Sequence, residues 1–383
     1  MKVAMIGHKR IPSREGGVEI VVEELSTRLV LMGHQVTAYN RKGKNVADKN
    51  ADAEAQKLKE YKGVRLVRVP TSEKKALNAF LYSFNATLRA ILGNYDVIHY
   101  HAEGPCAMLF IPHMFGIRTI ATIHGLDWQR SKWGGFATKY LKFGEKIAAK
   151  YADEVIVLSR NVQQYFLDTY NRDTIYIPNG VNIPEDVPAE IITNEYGLKK
   201  DEYILFLARL VPEKGIHYLL EAFKNIDTDK KLVIAGGGSH SNDYVQKIMD
   251  MAAKDDRVIM TGFVQGKKLQ ELFSNCYMYI LPSDIEGMPI SLLEAMSYGC
   301  RCLESDIPEN VEASKEFART FKKSDVEDLT AVLKDCIEHP ESFYSKEEIQ
   351  DYCLNRFDWN KVSDKSARLY FDNVLNVERI RQV

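Results

Sequence analysis

Two glutamates frame a Gly-x-Pro turn in Glu286-Gly287-Met288-Pro289-Ile290-Ser291-Leu292-Leu293-Glu294, just after the apolar run Met278–Leu281. Proline suits the first turn of a helix, where its missing N–H would have no intrahelical partner. A helix is therefore expected to start at Pro289, with Glu286 in the loop before it and Glu294 on its second turn. The exposed backbone N–H groups around Met288, Ile290 and Ser291 would form an anion site. The two carboxylates could accept hydrogen bonds from sugar and ribose hydroxyls while a phosphate rests on the amides. A lone glutamate pair is more often solvated surface charge. The glycine and proline between these two favour a binding loop.

A second group, Ala208-Arg209-Leu210-Val211-Pro212-Glu213-Lys214-Gly215, follows the run Tyr203–Ala208 and precedes a helical pattern at Ile216–Phe223. Arg209 and Lys214 thus stand at the carboxyl end of a strand, where open α/β sheets bind ligands. A planar guanidinium and a compact ammonium together can neutralise a diphosphate. Taken alone, the pair could equally belong to a surface ion-pair set with Glu213. Ala235-Gly236-Gly237-Gly238-Ser239 ends another strand, and its glycines permit close backbone approach or simply a tight turn. Gly262-Phe263-Val264 follows the run Arg257–Thr261, so Val264 is a candidate to line a nucleotide base through backbone contacts.

In the first half, Gly16-Gly17 lies between the opening strand and a helix starting near Val18. Glycines there let a loop lie over phosphate at a helix N-terminus, although an ordinary βα turn has the same residues. The G-x-G-x-x-G dinucleotide pattern is absent, which argues against a dehydrogenase. His124 ends the run Arg118–Ile123, where it could orient a sugar hydroxyl or stand as a structural histidine, and Asp127 nearby is a candidate for acceptor binding. His99, His101 and Glu103 end another strand. Successive strand residues alternate faces and no clear third ligand is present. They are therefore read as lining on the acceptor side, His101 included, and not as a metal site. The Asp227-Thr228-Asp229 triplet falls between a helix and a strand, at the wrong end of that strand for an α/β site, and is expected to be a turn.

Lys139, Lys142, Lys146 and Lys150 recur on one expected helix beside Phe136, Tyr140, Phe143 and Ile147, with Trp128, Arg130, Lys132 and Trp133 just upstream. Such a surface fits anionic lipid headgroups. It fits equally well a solvated helix face over a core stripe.

These loops need a frame, and the chain supplies one. Short β-branched runs alternate with helical stretches, as in βαβ units with parallel sheets. Strands are expected at Lys2–Gly7, Gln35–Tyr39, Val64–Val69, Asp96–Tyr100, Arg118–Ile123, Glu154–Leu158 and Thr174–Ile177, and helices at Val18–Met32, Lys74–Leu92, Phe136–Tyr151 and Asn161–Tyr170. Arg41–Tyr61 reads as a loop or short exposed helix. Pro178-Asn179-Gly180 and Pro184 break the alternation, which restarts with strands at Tyr203–Ala208, Lys231–Ala235, Arg257–Thr261, Met278–Leu281 and Arg301–Glu304. The expected fold is α/β: two Rossmann-like, doubly wound domains facing across a cleft, an acceptor-side domain over 1–184 and a donor-binding domain over 185–359. Trp359–Val377 reads as one more helix, within a tail of about 360–383 that can pack back onto the first domain.

Composition narrows the options. With 383 residues, 45% hydrophobic and 27% charged, the chain is long enough for two cores and too apolar for disorder. A formal net charge of −2 is wrong for a general nucleic-acid binder, so no nucleic-acid partner is expected. The longest apolar stretch, Ala107–Ile117, is interrupted by Pro112 and His113 and cannot span a bilayer, which needs about 20 apolar residues. No signal peptide is expected, because Met1-Lys2 runs straight into a short strand. Cys106, Cys276, Cys300, Cys302, Cys336 and Cys353 show no zinc spacing and read as reduced thiols of a cytoplasmic protein.

Arg209…Glu213-Lys214-Gly215, Gly262-Phe263-Val264 and the Glu286/Glu294 pair together resemble retaining glycosyltransferase family 4, which has the GT-B fold, and the resemblance spans the chain. Arg14-Glu15-Gly16-Gly17-Val18-Glu19, Glu23-Glu24-Leu25-Ser26-Thr27-Arg28-Leu29 and His124-Gly125-Leu126-Asp127-Trp128-Gln129-Arg130-Ser131-Lys132-Trp133-Gly134 resemble a bacterial subgroup that includes rhamnosyltransferases of surface-polysaccharide assembly. The one visible departure is Ala208, where many relatives have glycine. The resemblance implies that Arg209 and Lys214 bind the donor diphosphate, that Glu286 contacts the transferred sugar, that Glu294 contacts the ribose, and that His124 contacts sugar. It further implies transfer with retention by front-face attack, with no cofactor and no metal, Arg209, Lys214 and the helix N-terminus taking the metal's place. The expected partners are a nucleotide-sugar donor and a saccharide or lipid-linked acceptor, with peripheral contact at the inner face of the membrane. The nearest subgroup suggests dTDP-rhamnose, and UDP-glucose, UDP-galactose, UDP-N-acetylhexosamine and GDP-mannose stay open. Two other classes share these features: a sugar-nucleotide epimerase, which would convert donor without acceptor, and a catalytically silent nucleotide-sugar-binding subunit.

Overall fold

The computed structural model describes residues 1–43, 57–72, 75–129, 134–238 and 242–371. It divides into two compact units, one formed by Met1–Gly180 with the segment from Trp359 onward, the other by Val181–Asp358.

The strands of the first unit are β1 (Lys2–Ile6), β2 (Gln35–Lys42), β3 (Glu60–Tyr61), β4 (Val64–Pro70), β5 (Val97–His101), β6 (Arg118–Ile123), β7 (Glu154–Val157) and β8 (Ile175–Tyr176). Its helices are α1 (Gly17–Leu31), α2 (Lys75–Ile91), α3 (Glu103–Cys106), α4 (Phe110–Met114), α5 (Gly135–Tyr151) and α6 (Arg160–Tyr170). The sheet order is β3-β4-β2-β1-β5-β6-β7-β8, and only β3 runs antiparallel to its neighbour. Every residue of β5 and β7 is buried. Such strands are covered on both faces, as in parallel sheets flanked by helices.

The second unit holds β9 (Tyr203–Leu207), β10 (Lys231–Ala235), β11 (Val258–Gly262), β12 (Met278–Leu281), β13 (Cys302–Ser305) and β14 (Arg319–Phe321) in the all-parallel order β11-β10-β9-β12-β13-β14. Around it lie α7 (Ile191–Tyr196), α8 (Ile216–Phe223), α9 (Asn242–Ala252), α10 (Lys267–Asn275), α11 (Ile290–Ser297), α12 (Pro308–Ser314), α13 (Val326–Glu338) and α14 (Lys346–Arg356). Ile204, Phe206, Leu232, Ile234, Ile280 and Leu303 from the strands meet Leu219, Leu220, Phe223, Leu329 and Leu333 from α8 and α13 in one core. The chain leaves β9 for β10 and β11 on one side and returns to β12 on the other. The reversal of strand order therefore falls between β9 and β12.

The final described helix, α15 (Trp359–Arg368), rejoins the first unit. The Arg28 guanidinium of α1 lies 5.9 Å from the Trp359 ring and its Nε donates to Asn360 Oδ1 at 3.2 Å. The Tyr370 hydroxyl bonds His99 Nδ1 at 2.9 Å, and Arg118 Nε donates to the Leu369 carbonyl at 3.0 Å.

Several expectations need correction. The helix expected over Trp359–Val377 ends at Arg368, and residues 372–377 lie outside the described ones. The expected loop Arg41–Tyr61 begins inside β2 and ends in β3, with 44–56 outside the described residues. A short helix, α7, lies between the Pro178–Pro184 break and β9. Lys74, Arg130, Lys132, Trp133 and Ser239 lie outside the described residues. All six cysteines are free thiols, and all but Cys276 are buried.

Candidate functional site

In the second unit, the loops at the carboxyl ends of β9 and β12 are the two cationic and acidic motifs, and they flank the point of strand reversal. Ligands of open α/β sheets bind there. The β9 loop runs from Ala208 through a single 3-10 turn, Pro212–Lys214, into α8. Gly215 closes the turn with φ +67°, and a Cβ on it would lie 1.9 Å from the Pro282 carbonyl oxygen of the β12 loop. Only glycine meets both requirements, so the two loops can lie against each other. The Asp284 amide donates to the Glu213 carbonyl at 2.9 Å, a second tie. Asp284 is fastened in turn by the hydroxyls of Tyr218 (3.2 Å) and Ser324 (2.6 Å).

On that scaffold the Lys214 ammonium is hydrogen-bonded and ion-paired to Glu286 Oε1, and both side chains are largely buried. Arg209 is half-buried on the same loop. The β10 glycines pack close: a Cβ on Gly236 would meet the Ala208 carbonyl at 1.8 Å, and the Leu210 amide donates to the Gly237 carbonyl at 3.0 Å. The Gly236 amide reaches the Gly262 carbonyl at 2.8 Å, which brings the Gly262-Phe263-Val264 loop into the same rim, with Val264 buried.

Pro289 caps α11 from outside its first turn, with φ −77° and ψ 92°; the first helical residue is Ile290. This corrects the expected start at Pro289. The consequence for binding is small, because the first-turn N–H groups still lack intrahelical acceptors. Gly287, Met288, Pro289 and Ile290 are buried, while Ser291 and Glu294 are half-buried. The buried Tyr279 hydroxyl of β12 bonds Ser291 Oγ at 2.8 Å and fixes the helix to its strand. Sequence reasoning passed over Tyr279, Tyr218 and Asp284. Only the position of Asp284, between β12 and the glutamate motif, offered a signal.

In the first unit, strand order reverses between β1 and β5. Gly16 is the extended N-cap of α1 and Gly17 is exposed, but the buried Glu19 carboxylate already sits at this helix end and accepts the Lys9 amide at 2.8 Å. His124, 9% exposed, follows β6, and its Nε2 lies 3.2 Å from Nδ1 of the fully buried His101. Asp127 is half-buried on the next turn. His99 and His101 both lie on β5. They are two residues apart on one strand, share a face, and stack with ring centroids 4.2 Å apart. Burial keeps these rings neutral: His99 is lowered to about 3 and His101 well below the usual imidazole range. No group of metal-ligating side chains occurs among the described residues. Beneath them, Glu103 is buried with neither carboxyl oxygen hydrogen-bonded, and burial followed by the Asp127 and Glu145 charges pushes it up to about 10. Glu145 accepts from Trp128 Nε1 at 3.0 Å and from the hydroxyls of Tyr165 (2.8 Å) and Tyr170 (2.5 Å).

Comparison with known proteins decides what family such loops belong to. Residues 15–184 match the family model "Glycosyltransferase Family 4" and residues 189–349 match "Glycosyl transferases group 1". The chain belongs to glycosyltransferase family 4. It is an enzyme that transfers sugar from a nucleotide sugar. The UDP-Gal:alpha-D-GlcNAc-diphosphoundecaprenol alpha-1,3-galactosyltransferase of Escherichia coli is 26% identical over 74% of this chain and 76% of its own. Among solved structures, the sucrose-phosphate synthase of Thermosynechococcus elongatus superposes with a TM-score of 0.82 at 20% identity, covering 96% of this chain and 98% of its own. HepE of Anabaena, solved in complex with UDP and glucose, gives 0.78 at 17% identity, covering 96% of this chain and 98% of its own. These likenesses establish the GT-B fold of this glycosyltransferase.

Proposed function

We propose that this family 4 glycosyltransferase moves a hexose or deoxyhexose, with retention and without a metal, from a nucleoside-diphosphate sugar to a saccharide or lipid-linked saccharide of a cell-surface polysaccharide. The observation that carries the reading is the joining of the β9 and β12 loops at the strand reversal, where Lys214 and Glu286 are paired beside the N-terminus of α11.

In this reading Arg209, Lys214 and the first amides of α11 receive the donor diphosphate, with Gly287, Met288, Pro289 and Ile290 forming the turn around it. Glu294 accepts from the ribose, Glu286 from the transferred sugar, and Val264 flanks the base. Gly16 and Gly17 lie near the donor, while His124, Asp127 and His101 serve the acceptor side. The bond between the anomeric carbon and the diphosphate oxygen breaks, and its electron pair leaves with the diphosphate. The acceptor hydroxyl oxygen attacks from the same face, and its proton passes to a diphosphate oxygen. Fixed cations and amides stabilise the charge growing on the leaving group, and each such preorganised group is worth roughly 2.7–4 kcal/mol of barrier.

The relative from Escherichia coli uses UDP-Gal and a diphosphoundecaprenol-linked acceptor by its name, which supports a UDP-hexose and a lipid-linked acceptor here. The resemblance to rhamnosyltransferases keeps dTDP-rhamnose as the second candidate donor. A thermal-shift and hydrolysis screen over dTDP-, UDP- and GDP-sugars, with and without EDTA, tests the proposal. One family of donors should stabilise the protein and be hydrolysed slowly regardless of EDTA. Conversion of the donor to its epimer, or activity abolished by EDTA, contradicts it.

A further inference from the structure

Helix α2 carries two apolar faces. Tyr82, Ala86 and Ala90 point into the core of the first unit. Leu77, Phe80, Phe84 and Leu88 recur at three- and four-residue spacing on another side, each between 38% and 46% exposed. Nothing in the described fold covers that second stripe. It continues onto α5: the Phe80 ring meets Tyr140 edge-on at 6.1 Å, and beside Tyr140 lie Phe136, 80% exposed, and Phe143. Monomeric proteins rarely leave so continuous an apolar surface without a partner.

The exposed charges on α2 and α5 have one sign. The exposed Lys139, Lys142, Lys146 and Lys150 line α5 next to Phe136 and Phe143. The sole acid of α5, Glu145, is fully buried and held by Trp128, Tyr165 and Tyr170. Helix α2 contains no acid at all. Docking a second copy would place lysine against lysine. A surface that takes phenylalanine and leucine below its phosphates and lysine among them satisfies both features.

We propose that the α2–α5 face of the first unit seats on an anionic lipid bilayer, with Phe80, Phe84 and Phe136 entering the acyl boundary and the α5 lysines meeting headgroup phosphates. If the transfer reading above is right, this seat holds the enzyme where a lipid-linked acceptor lies; the docking itself does not depend on that reading.

The experiment is vesicle flotation of the full chain with phosphatidylglycerol–phosphatidylcholine vesicles and with phosphatidylcholine alone. It compares the wild type, Phe80→Ser/Phe84→Ser and Lys139→Glu/Lys146→Glu. All four positions changed by the test carry exposed side chains, and thermal unfolding of each variant checks that it folds. The wild type should float with anionic vesicles, and less so in about 0.5 M salt. It should float poorly with neutral ones, and each double variant should bind roughly tenfold more weakly. Absence of flotation with anionic vesicles overturns the proposal. So does flotation that neither variant weakens, or a wild-type dimer in sedimentation velocity that Phe80→Ser/Phe84→Ser dissociates, which would show a second copy on this face. Nucleotide binding measured on the same variants should be unchanged, so failure of docking and failure of the glycosyl-transfer reading are read out separately.

Discussion

Lys214 and Glu286 stand 72 residues apart in sequence and form one ion pair, because β9 and β12 are neighbours in the sheet and their loops are tied by Asp284 and Glu213. The carboxylate holds the ammonium in place at the strand reversal. A diphosphate bound there, as proposed, would meet a cation already positioned, with little side-chain freedom left to lose.

Replacing Lys214 by Ala should therefore lower kcat by about a hundred- to thousandfold, and Glu286→Gln should lower it as well. The two act as a pair, so the double variant should lose less than the product of the single losses. Steady-state kinetics on the three variants checks this; independent, multiplicative effects would contradict a shared role.

Gly215→Ala should cost about 2–4 kcal/mol of stability, from the positive φ and from a Cβ driven into the Pro282 carbonyl. Urea denaturation measures it. Because Gly215 joins the two loops, nucleotide binding should weaken in the protein that remains folded.

His124→Ala should reduce turnover by an amount equivalent to about 1–3 kcal/mol, the worth of one well-placed hydrogen bond. Affinity for the free nucleoside diphosphate should stay unchanged, since Arg209, Lys214 and the α11 amides proposed to hold it belong to the other unit. Kinetics beside nucleotide titration separates the two effects.

Glu304 in β13 is fully buried and accepts only the Ser314 hydroxyl, at 2.6 Å, so burial raises its carboxyl to about 8. The stability gained by keeping it protonated is complete below about pH 4.5 and is lost as pH rises through about 8. Glu304→Gln removes the ionisation. The variant should gain on the wild type by on the order of 1–3 kcal/mol at pH 9 and lose that advantage by pH 5, as read from denaturation midpoints across the range.

Much of this molecule could be read from its residues, and the physical reasons differ by element. β9 and β12 are buried on both faces, so their apolar runs declared parallel strands. β14, Arg319-Thr320-Phe321, is a three-residue edge strand with a charged first residue and shows no such run. The placing of Arg209 and Lys214 after β9, and of Glu286 after β12, was legible because the apolar runs mark where each strand ends. Their pairing was not, since it depends on which strands become neighbours. The strand period of two puts His99 and His101 on one face, but their stacking depends on the burial that packs the rings together. The Glu145 network stayed hidden because its donors come from two other segments, Trp128 before α5 and Tyr165 and Tyr170 on α6.

The central claim is that Arg209, Lys214 and the α11 N-terminus hold a nucleoside diphosphate. Calorimetric titration of UDP, dTDP and GDP into wild type and Arg209→Ala tests it most directly. At least one nucleotide should bind the wild type, and Arg209→Ala should weaken it by roughly tenfold or more, as expected for a lost charge-assisted contact. Equal affinity in the two proteins, or no binding of any of the three to the wild type, would contradict the account.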